Sequence, residues 1–173
     1  MTKLFASAGA LALIGAATMA LAQGGPNDAQ IAHIAYTAGN IDIAAAKQAL
    51  AKSKNKTVRD FATEMVRDHQ AVNDKALALV KKLNVTPEAN ATSTALTEQA
   101  NKKHAELARL NGPAFDKAYA ANEVAYHRTV NGALEKTLIP SASNAELKSL
   151  LETGLTLFRE HQMHAEHVSA QLK

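Results

Sequence analysis

Residues 61–72 read FATEMVRDHQAV, and this stretch indicates the fold of the whole chain. Its apolar residues recur every three or four positions, which is the period of a helix with one buried face. Extended in both directions, that face consists of Val58, Phe61, Ala62, Met65, Val72, Ala76, Leu79 and Leu83. His69 lies in the middle of it. The pattern predicts a helix from about Thr57 to Leu83 that buries a histidine.

The segments on both sides have the same helical character, and Pro and Gly occur where helices would end. The other predicted helices are Asp28–Ala51 with Asn27 as N-cap, a shorter one at Thr94–Leu110, then Pro113–Leu138 and Asn144–Leu172. The four long helices form two hairpins, joined by a crossover of roughly 30 residues that contains the shorter helix. The sequence therefore predicts an all-α, ferritin-like four-helix bundle.

A weak internal repeat supports these two halves. The segment YAANEVAYHRTV at 119–130 matches residues 61–72 in an aromatic residue, an alanine, two valines and the histidine. His127 thus occupies the position in the second half that His69 occupies in the first.

The first 22 residues, MTKLFASAGALALIGAATMALA, have the pattern of a secretory signal peptide. Lys3 precedes a small, apolar run, and Ala20-Leu21-Ala22 resembles a signal-peptidase site. We expect cleavage near Gln23, and a single soluble domain, residues 23–173, in the periplasm or secreted. No later segment approaches the roughly 20 apolar residues that cross a membrane, so the mature chain should have no transmembrane segment.

Composition narrows the chemistry. The 173-residue chain has no cysteine, so disulfides and thiolate ligands are excluded and a metal would be bound by His, Asp, Glu or Met. The net charge of +3 includes no basic cluster, which argues against nucleic acid binding. A Ser-His-Asp spacing, a nucleophile elbow and a phosphate loop are all absent from the sequence, so we predict no catalytic residue. The sequence indicates no particular protein partner.

Each long helix interrupts its apolar face with a side chain that can bind a metal or a proton. Asp42 lies on the first, His69 on the second, Glu123 and His127 one turn apart on the third, and His161 on the fourth. A polar group in such a place is costly unless it has a partner. Because all four helices contribute one, we expect these groups to meet in the bundle core.

Their axial levels follow from where each hairpin turns. A turn near residue 54 places Asp42 between Met65 and His69. A turn near residue 141 places Glu123 beside His161 but leaves His127 roughly 9 Å away along the axis. We therefore predict a metal site of Asp42, His69, Glu123 and His161, with His127 either a further ligand or a supporting residue. Candidate supporting residues around the site are Met65, Asp68, Glu160 and His164.

Three further segments carry a family resemblance: residues 37–85, FDKAYAANEVAYHRTV at 115–130 and LFREHQMHA at 157–165. They resemble the exported bacterial family catalogued as domain of unknown function number 4142. The matching positions are Phe61, Met65, Val66, Asp68, His69, His127, Glu160 and His161. Asp42 stands where that family usually has glutamate. The resemblance implies a ferritin-like bundle outside the cytoplasm.

Two functions remain open at this point. The first is a metal-binding protein without assigned turnover, for which zinc, copper, iron and manganese are the candidate ions. A di-iron carboxylate centre is not predicted, because the buried faces of the second and fourth helices lack Glu-x-x-His. The second is a metal-free envelope stress or scaffold protein whose histidines and carboxylates form a polar core.

Overall fold

The computed structural model of the protein describes residues 25–172, and this part of the chain is helical without any strand. The elements are α1 (Asp28–Lys52), α2 (Lys56–Lys82), α3 (Ala91–Ala108), α4 (Gly112–Ala133), a π-helical turn (Leu134–Leu138), α5 (Ile139–Ser141) and α6 (Ala145–Gln171). The predicted all-α bundle is confirmed, and the arrangement is consistent with the ferritin-like description. The predicted signal peptide, residues 1–22, lies outside the described residues.

An asparagine precedes each helix longer than one turn. These residues are Asn27, Asn55, Asn90, Asn111 and Asn144. All except Asn111 accept hydrogen bonds from backbone N–H groups of the first helical turn. Such caps satisfy N–H groups that have no partner within the helix, so the helix starts are encoded locally.

The long helices pack as two hairpins. Helix α1 lies along α2 and α4 lies along α6, while α3 packs on α1 and α2 also contacts α6. The repeat found in the sequence has a structural counterpart. Phe61 and Tyr119 approach to 6.2 Å between ring centroids, and His69 and His127 to 5.7 Å. Equivalent residues of the two halves therefore face each other across the bundle.

The second hairpin differs from the prediction in its turning point. After α4 the chain continues through the π-helical turn and α5, where Pro140 is tolerated in the first turn. The hairpin consequently turns near Asn144, and His127 and His161 each lie 17 residues from it. The expected 9 Å axial offset of His127 was wrong. Its ring centroid is 5.5 Å from that of His161.

The bundle core has two apolar regions with a polar layer between them. The first, which we call the packed end, is formed by Ala45, Ala46, Ala49, Val58, Phe61, Ala62, Met65, Leu107, Phe115, Tyr119, Ala120, Ala165 and Val168. The second, the chambered end, is formed by Ile31, Ile34, Leu134, Leu138, Ala142, Leu147, Leu151, Leu155 and Phe158. In all four long helices the predicted site residues fall between the two sets.

Within residues 25–172, none of the helices has both the length and the apolar character needed to span a bilayer.

Candidate metal centre

The polar layer consists of the five predicted ligands. Asp42, His69, Glu123, His127 and His161 are each at most 3% exposed. One ring nitrogen from each of the three histidines lies within 4.8 Å of the other two. The same holds for one carboxylate oxygen each of Asp42 and Glu123 and a ring nitrogen of His127. His127 belongs to both groups. His127, which the axial levels had placed at the margin of the cluster, therefore lies at its centre.

Asp42 links two of the histidines. Its Oδ2 atom lies 3.5 Å from His69 Nε2 and 3.5 Å from His127 Nε2. Donor atoms around a tetrahedral zinc ion are about 3.4 Å apart when each metal–ligand distance is ~2.05 Å. Each of these two spacings is therefore close to the donor separation of a tetrahedrally coordinated ion.

The backbone fixes the tautomer of His127. Its Nδ1 lies 3.0 Å from the carbonyl oxygen of Glu123, one helical turn earlier, so Nδ1–H donates to that carbonyl. The lone pair is then on Nε2, which is buried and has no hydrogen-bond partner among the described residues. A backbone carbonyl behind the ring is a common support for a histidine that binds a metal through its other nitrogen.

His161 is supported in the same way by a carboxylate. Its Nε2 lies 3.1 Å from Asp68 Oδ2, and Asp68 is itself held by Arg67 at 2.6 and 2.9 Å. With Nε2–H donating to Asp68, the lone pair is on Nδ1. That nitrogen is buried, and no described group forms a hydrogen bond with it. Carboxylate, imidazole and a metal would then form the usual triad.

The ring of His69 is positioned by an aromatic neighbour. It stacks on Phe158 with 4.7 Å between centroids and 9° between planes. Neither of its nitrogens has a hydrogen-bond partner in the described part of the chain. Its orientation therefore depends on packing rather than on hydrogen bonding, which leaves both nitrogens available to a ligand.

Comparison with known proteins gives a family but no better-characterised relative. A family model described as Domain of unknown function (DUF4142) matches residues 14–168. The chain belongs to the DUF4142 family. None of the curated proteins and none of the solved structures that were compared matches it.

Burial sets the protonation states in this DUF4142 protein. It lowers the pKa of His127 to about 4 and that of His69 well below its ordinary value, with neighbouring histidines adding to the fall for His69. Burial also lowers the pKa of His161, although Asp68 opposes the change. All three imidazoles are consequently neutral near pH 7, which is the form that binds metals.

The two buried carboxyls shift in the opposite direction. Burial raises the pKa of Asp42 to about 7. Burial raises the pKa of Glu123 well above its ordinary range, and the nearby charge of Asp42 raises it further. Two carboxylates that close together are not both ionised in the metal-free protein. A bound cation would favour ionisation of Asp42.

The predicted supporting residues have different positions. Asp68 contacts His161 as described, and Met65 is buried in the packed end. His164 is half-buried, and its Nδ1 lies 2.8 Å from Glu64 Oε2. Glu160 is exposed and, among the described residues, has no hydrogen bond to the site; it influences His161 only through its charge. Because Glu160 lies on the outer side of α6, it does not contact the ring of His161. Asp68 makes that contact.

Sequence reasoning missed Glu64. Its carboxylate pairs with His164 and lies within 4.8 Å of the donor atoms of Asp68 and His161. The signal was its place one helical turn before Asp68, on the same side of α2. Without the level of α6, however, that spacing does not distinguish it from an ordinary surface glutamate.

Proposed function

We propose that this protein is an exported metal-binding protein that holds one first-row transition-metal ion in the bundle core, with His69, His127, His161 and Asp42 as ligands. One observation carries the proposal. His127 and His161 each donate one ring N–H to a fixed acceptor, and each keeps a buried nitrogen that has no hydrogen-bond partner among the described residues. Ring nitrogens of both lie within 4.8 Å of each other and of a ring nitrogen of His69. This is the orientation that metal-binding histidines have.

The metal-free polar core accounts less well for the same atoms. In such a core, buried polar groups are paired with one another, because an unpaired one costs about 1–3 kcal/mol. Here Asp42 and Glu123 share a hydrogen bond, but several buried ring nitrogens have no hydrogen-bond partner among the described residues: His69 Nδ1 and Nε2, His127 Nε2 and His161 Nδ1. A cation bound between them would satisfy several at once.

The donor set narrows the choice of ion. Zinc, copper, iron and manganese all accept three imidazoles and one carboxylate as ligands. The general affinity order among these ions favours copper and zinc. The 3.5 Å spacing of the Asp42 and histidine donors fits a tetrahedral ion. Zinc is therefore the first ion to test, and copper(II) the second, because its general affinity for such ligands is high.

Metal content is the direct test. The protein should be purified without a His-tag from the periplasm, analysed for metals, treated with chelator and titrated with zinc or copper(II). We expect about one ion per chain. A chain that carries no metal after purification and takes up none on titration would contradict the proposal and leave the metal-free scaffold.

His69→Ala isolates the core site from surface histidines. Zinc bound only by the folded protein stabilises it by mass action, by about 2.7 kcal/mol at one hundred times its Kd. We expect His69→Ala to lose this stabilisation in thermal melts with and without chelator. The matched control is His167→Ala, at an exposed position of α6, which should retain it. Equal metal stabilisation in wild type and His69→Ala would place the ion elsewhere.

The exported location is tested separately. If the sequence MTKLFASAGALALIGAATMALA is removed on export, mass spectrometry of the periplasmic or secreted protein should find an N-terminus near Gln23. An intact Met1 on protein recovered from the cytoplasm would contradict export without affecting the metal test.

A further inference from the structure

The chambered end encloses a cavity of about 720 Å³. Helices α1, α2, α3, α4 and α6 all contribute to its wall. This volume is within the range of ~300–1,000 Å³ that small-molecule sites have, and such sites are mostly apolar with a few placed polar groups. The packed end shows that this sequence can fill a core completely, so the cavity is specific to one end of the bundle.

The cavity is elongated along the bundle. On α2 its wall extends from His69 to Val80, and on α6 from Leu147 to Phe158. Each span covers about 16 Å of helix at ~1.5 Å per residue. A molecule that extends along the whole cavity is therefore elongated, as a hydrocarbon chain is.

The wall is uncharged. None of the described residues that line the cavity is Asp, Glu, Lys or Arg. Several polar side chains in the wall already have protein partners. Tyr126 Oη donates to the carbonyl of Ala38 at 2.8 Å, and Asn73 Nδ2 donates to Asn40 Oδ1 at 3.0 Å. A charged ligand would lose its hydration without compensation along this wall, whereas a neutral chain would not.

One end of the wall does offer unpaired polar atoms. His69 and His127 line the cavity where it meets the polar layer, and Nε2 of each has no hydrogen-bond partner among the described residues. A hydroxyl group can donate to such a nitrogen or approach an ion bound there. The cavity thus has a long apolar wall, and buried ring nitrogens without a hydrogen-bond partner where it meets the polar layer.

From this combination we propose that the chamber binds a neutral lipid-like molecule, a long hydrocarbon chain with a small hydroxyl head group, whose head lies at His69 and His127. The chain contributes most of the binding, because it buries apolar surface along the wall. Binding of the chain does not require a metal, because the apolar wall is distinct from Asp42 and His161.

An uncharged fluorescent probe tests the chamber directly. 1-N-phenylnaphthylamine, which brightens in apolar surroundings, should bind the metal-free protein saturably, and 1-tetradecanol should displace it. 1-Butanol should not displace it, since its chain is too short to fill the chamber. Tetradecanoate should compete at least tenfold less well than the alcohol. Absence of saturable binding would overturn the proposal, and equal competition by tetradecanoate would overturn the neutral head group.

Matched variants on one helix locate the binding. Ala76 lines the chamber and Ala71 is exposed, both on α2. We expect Ala76→Phe to weaken probe binding at least tenfold and Ala71→Phe to leave it unchanged. Circular dichroism verifies that the variants fold; if Ala76→Phe does not, Ala95→Phe in the α3 part of the wall replaces it. Equal affinities in the chamber and control variants would place the probe elsewhere and contradict the proposal.

The outcome is independent of the metal test. A protein that binds zinc and no probe would retain the proposed function and lose the lipid-like ligand. A protein that binds the probe in the chamber but binds no metal would support the lipid-like ligand and contradict the proposed metal-binding function. The titration is repeated with zinc-loaded protein. A change in the Kd of 1-tetradecanol would show that the head group lies close to the ion.

Discussion

The two ends of this bundle are made from the same five helices, α1, α2, α3, α4 and α6, yet one is filled and the other is hollow. At the packed end, Phe115 lies parallel to Tyr119 with 6.1 Å between centroids, and Phe61 meets Tyr119 edge-on. Alanines at Ala45, Ala46 and Ala49 of α1 are fully or almost fully buried in the same cluster. At the chambered end, residues of the same chemical type surround about 720 Å³.

This difference indicates that the two ends have different roles. Alternating large aromatic and small alanine side chains pack closely, which fixes the helix positions and hence the geometry of the polar layer. The chambered end has mainly leucines and isoleucines, and its aromatic side chains, Phe158 and Tyr126, lie on α6 and α4 close to the polar layer. Stability is therefore expected to depend on the packed end, and ligand binding on the chambered end.

Matched leucines should show the largest contrast. Leu107 is 1% exposed in the packed end, whereas Leu151 is 5% exposed and lines the chamber. Leu107→Ala should cost about 4 kcal/mol and Leu151→Ala about 2 kcal/mol in urea unfolding, because a side chain beside a cavity loses fewer contacts. Equal costs would mean that the chambered end is as tightly filled in solution as the packed end.

The polar layer between the ends should respond to pH. Burial lowers the pKa of His127 from 6.5 to about 4, so the unfolded chain binds more protons in that interval. The stability due to neutral His127 is complete above pH 6.5 and is lost as pH falls through about 4. Burial raises the pKa of Asp42 to about 7, so its contribution changes in the opposite sense and is lost as pH rises through 7.

His127→Gln separates these two effects. With chelator present, the unfolding free energy of the wild type should fall relative to that of His127→Gln by up to ~3 kcal/mol between pH 7 and pH 4. Urea unfolding at several pH values measures the difference. Parallel curves for the two proteins would show that His127 titrates normally, and hence that the layer is open to water.

Enlarging a small residue tests the same contrast from the other direction. Ala62 is fully buried in the packed end, and Ala76 faces the chamber. Ala62→Leu should destabilise the protein by about 1–3 kcal/mol through overpacking, while Ala76→Leu should be neutral or stabilise it by up to ~1 kcal/mol. Thermal or urea unfolding distinguishes them. A large cost for Ala76→Leu would contradict an open chamber.

The smallest expected effect is a loss of zinc affinity. It tests whether the polar layer is organised to bind a ligand or only separates the two ends. Asp68→Ala removes the carboxylate behind His161 and should weaken zinc affinity about tenfold, or ~1.4 kcal/mol. The control is Asp60→Ala, which removes a surface pair with Lys56. Zinc titration in a competing chelator measures both. Unchanged affinity in Asp68→Ala would show that Asp68 does not orient a ligand.

Much of the fold could be predicted from local signals. Apart from the end of α4, which was predicted at Leu138 and lies at Ala133, the helix ends were placed within three residues, because asparagine caps and apolar periodicity act over a few residues. The five buried polar residues were found for the same reason, since their positions on apolar faces are visible in the sequence. The central place of His127 was not found. It depends on the chain remaining helical through the π-helical turn and α5 as far as Ser141, which moves the hairpin turn to near Asn144 although Pro140 predicts an earlier break.

The sequence by itself determined which segments are helical, which faces are buried and which polar side chains interrupt them, because each depends on hydrogen bonds and spacing within one helix. The tertiary structure decided the rest. The level of α4 against α6 brought His127 to His161, and the contact with Asp68 left Nδ1 of His161 unpaired. The chamber exists because several helices leave its volume unfilled, and no periodicity within one helix records what the others leave open.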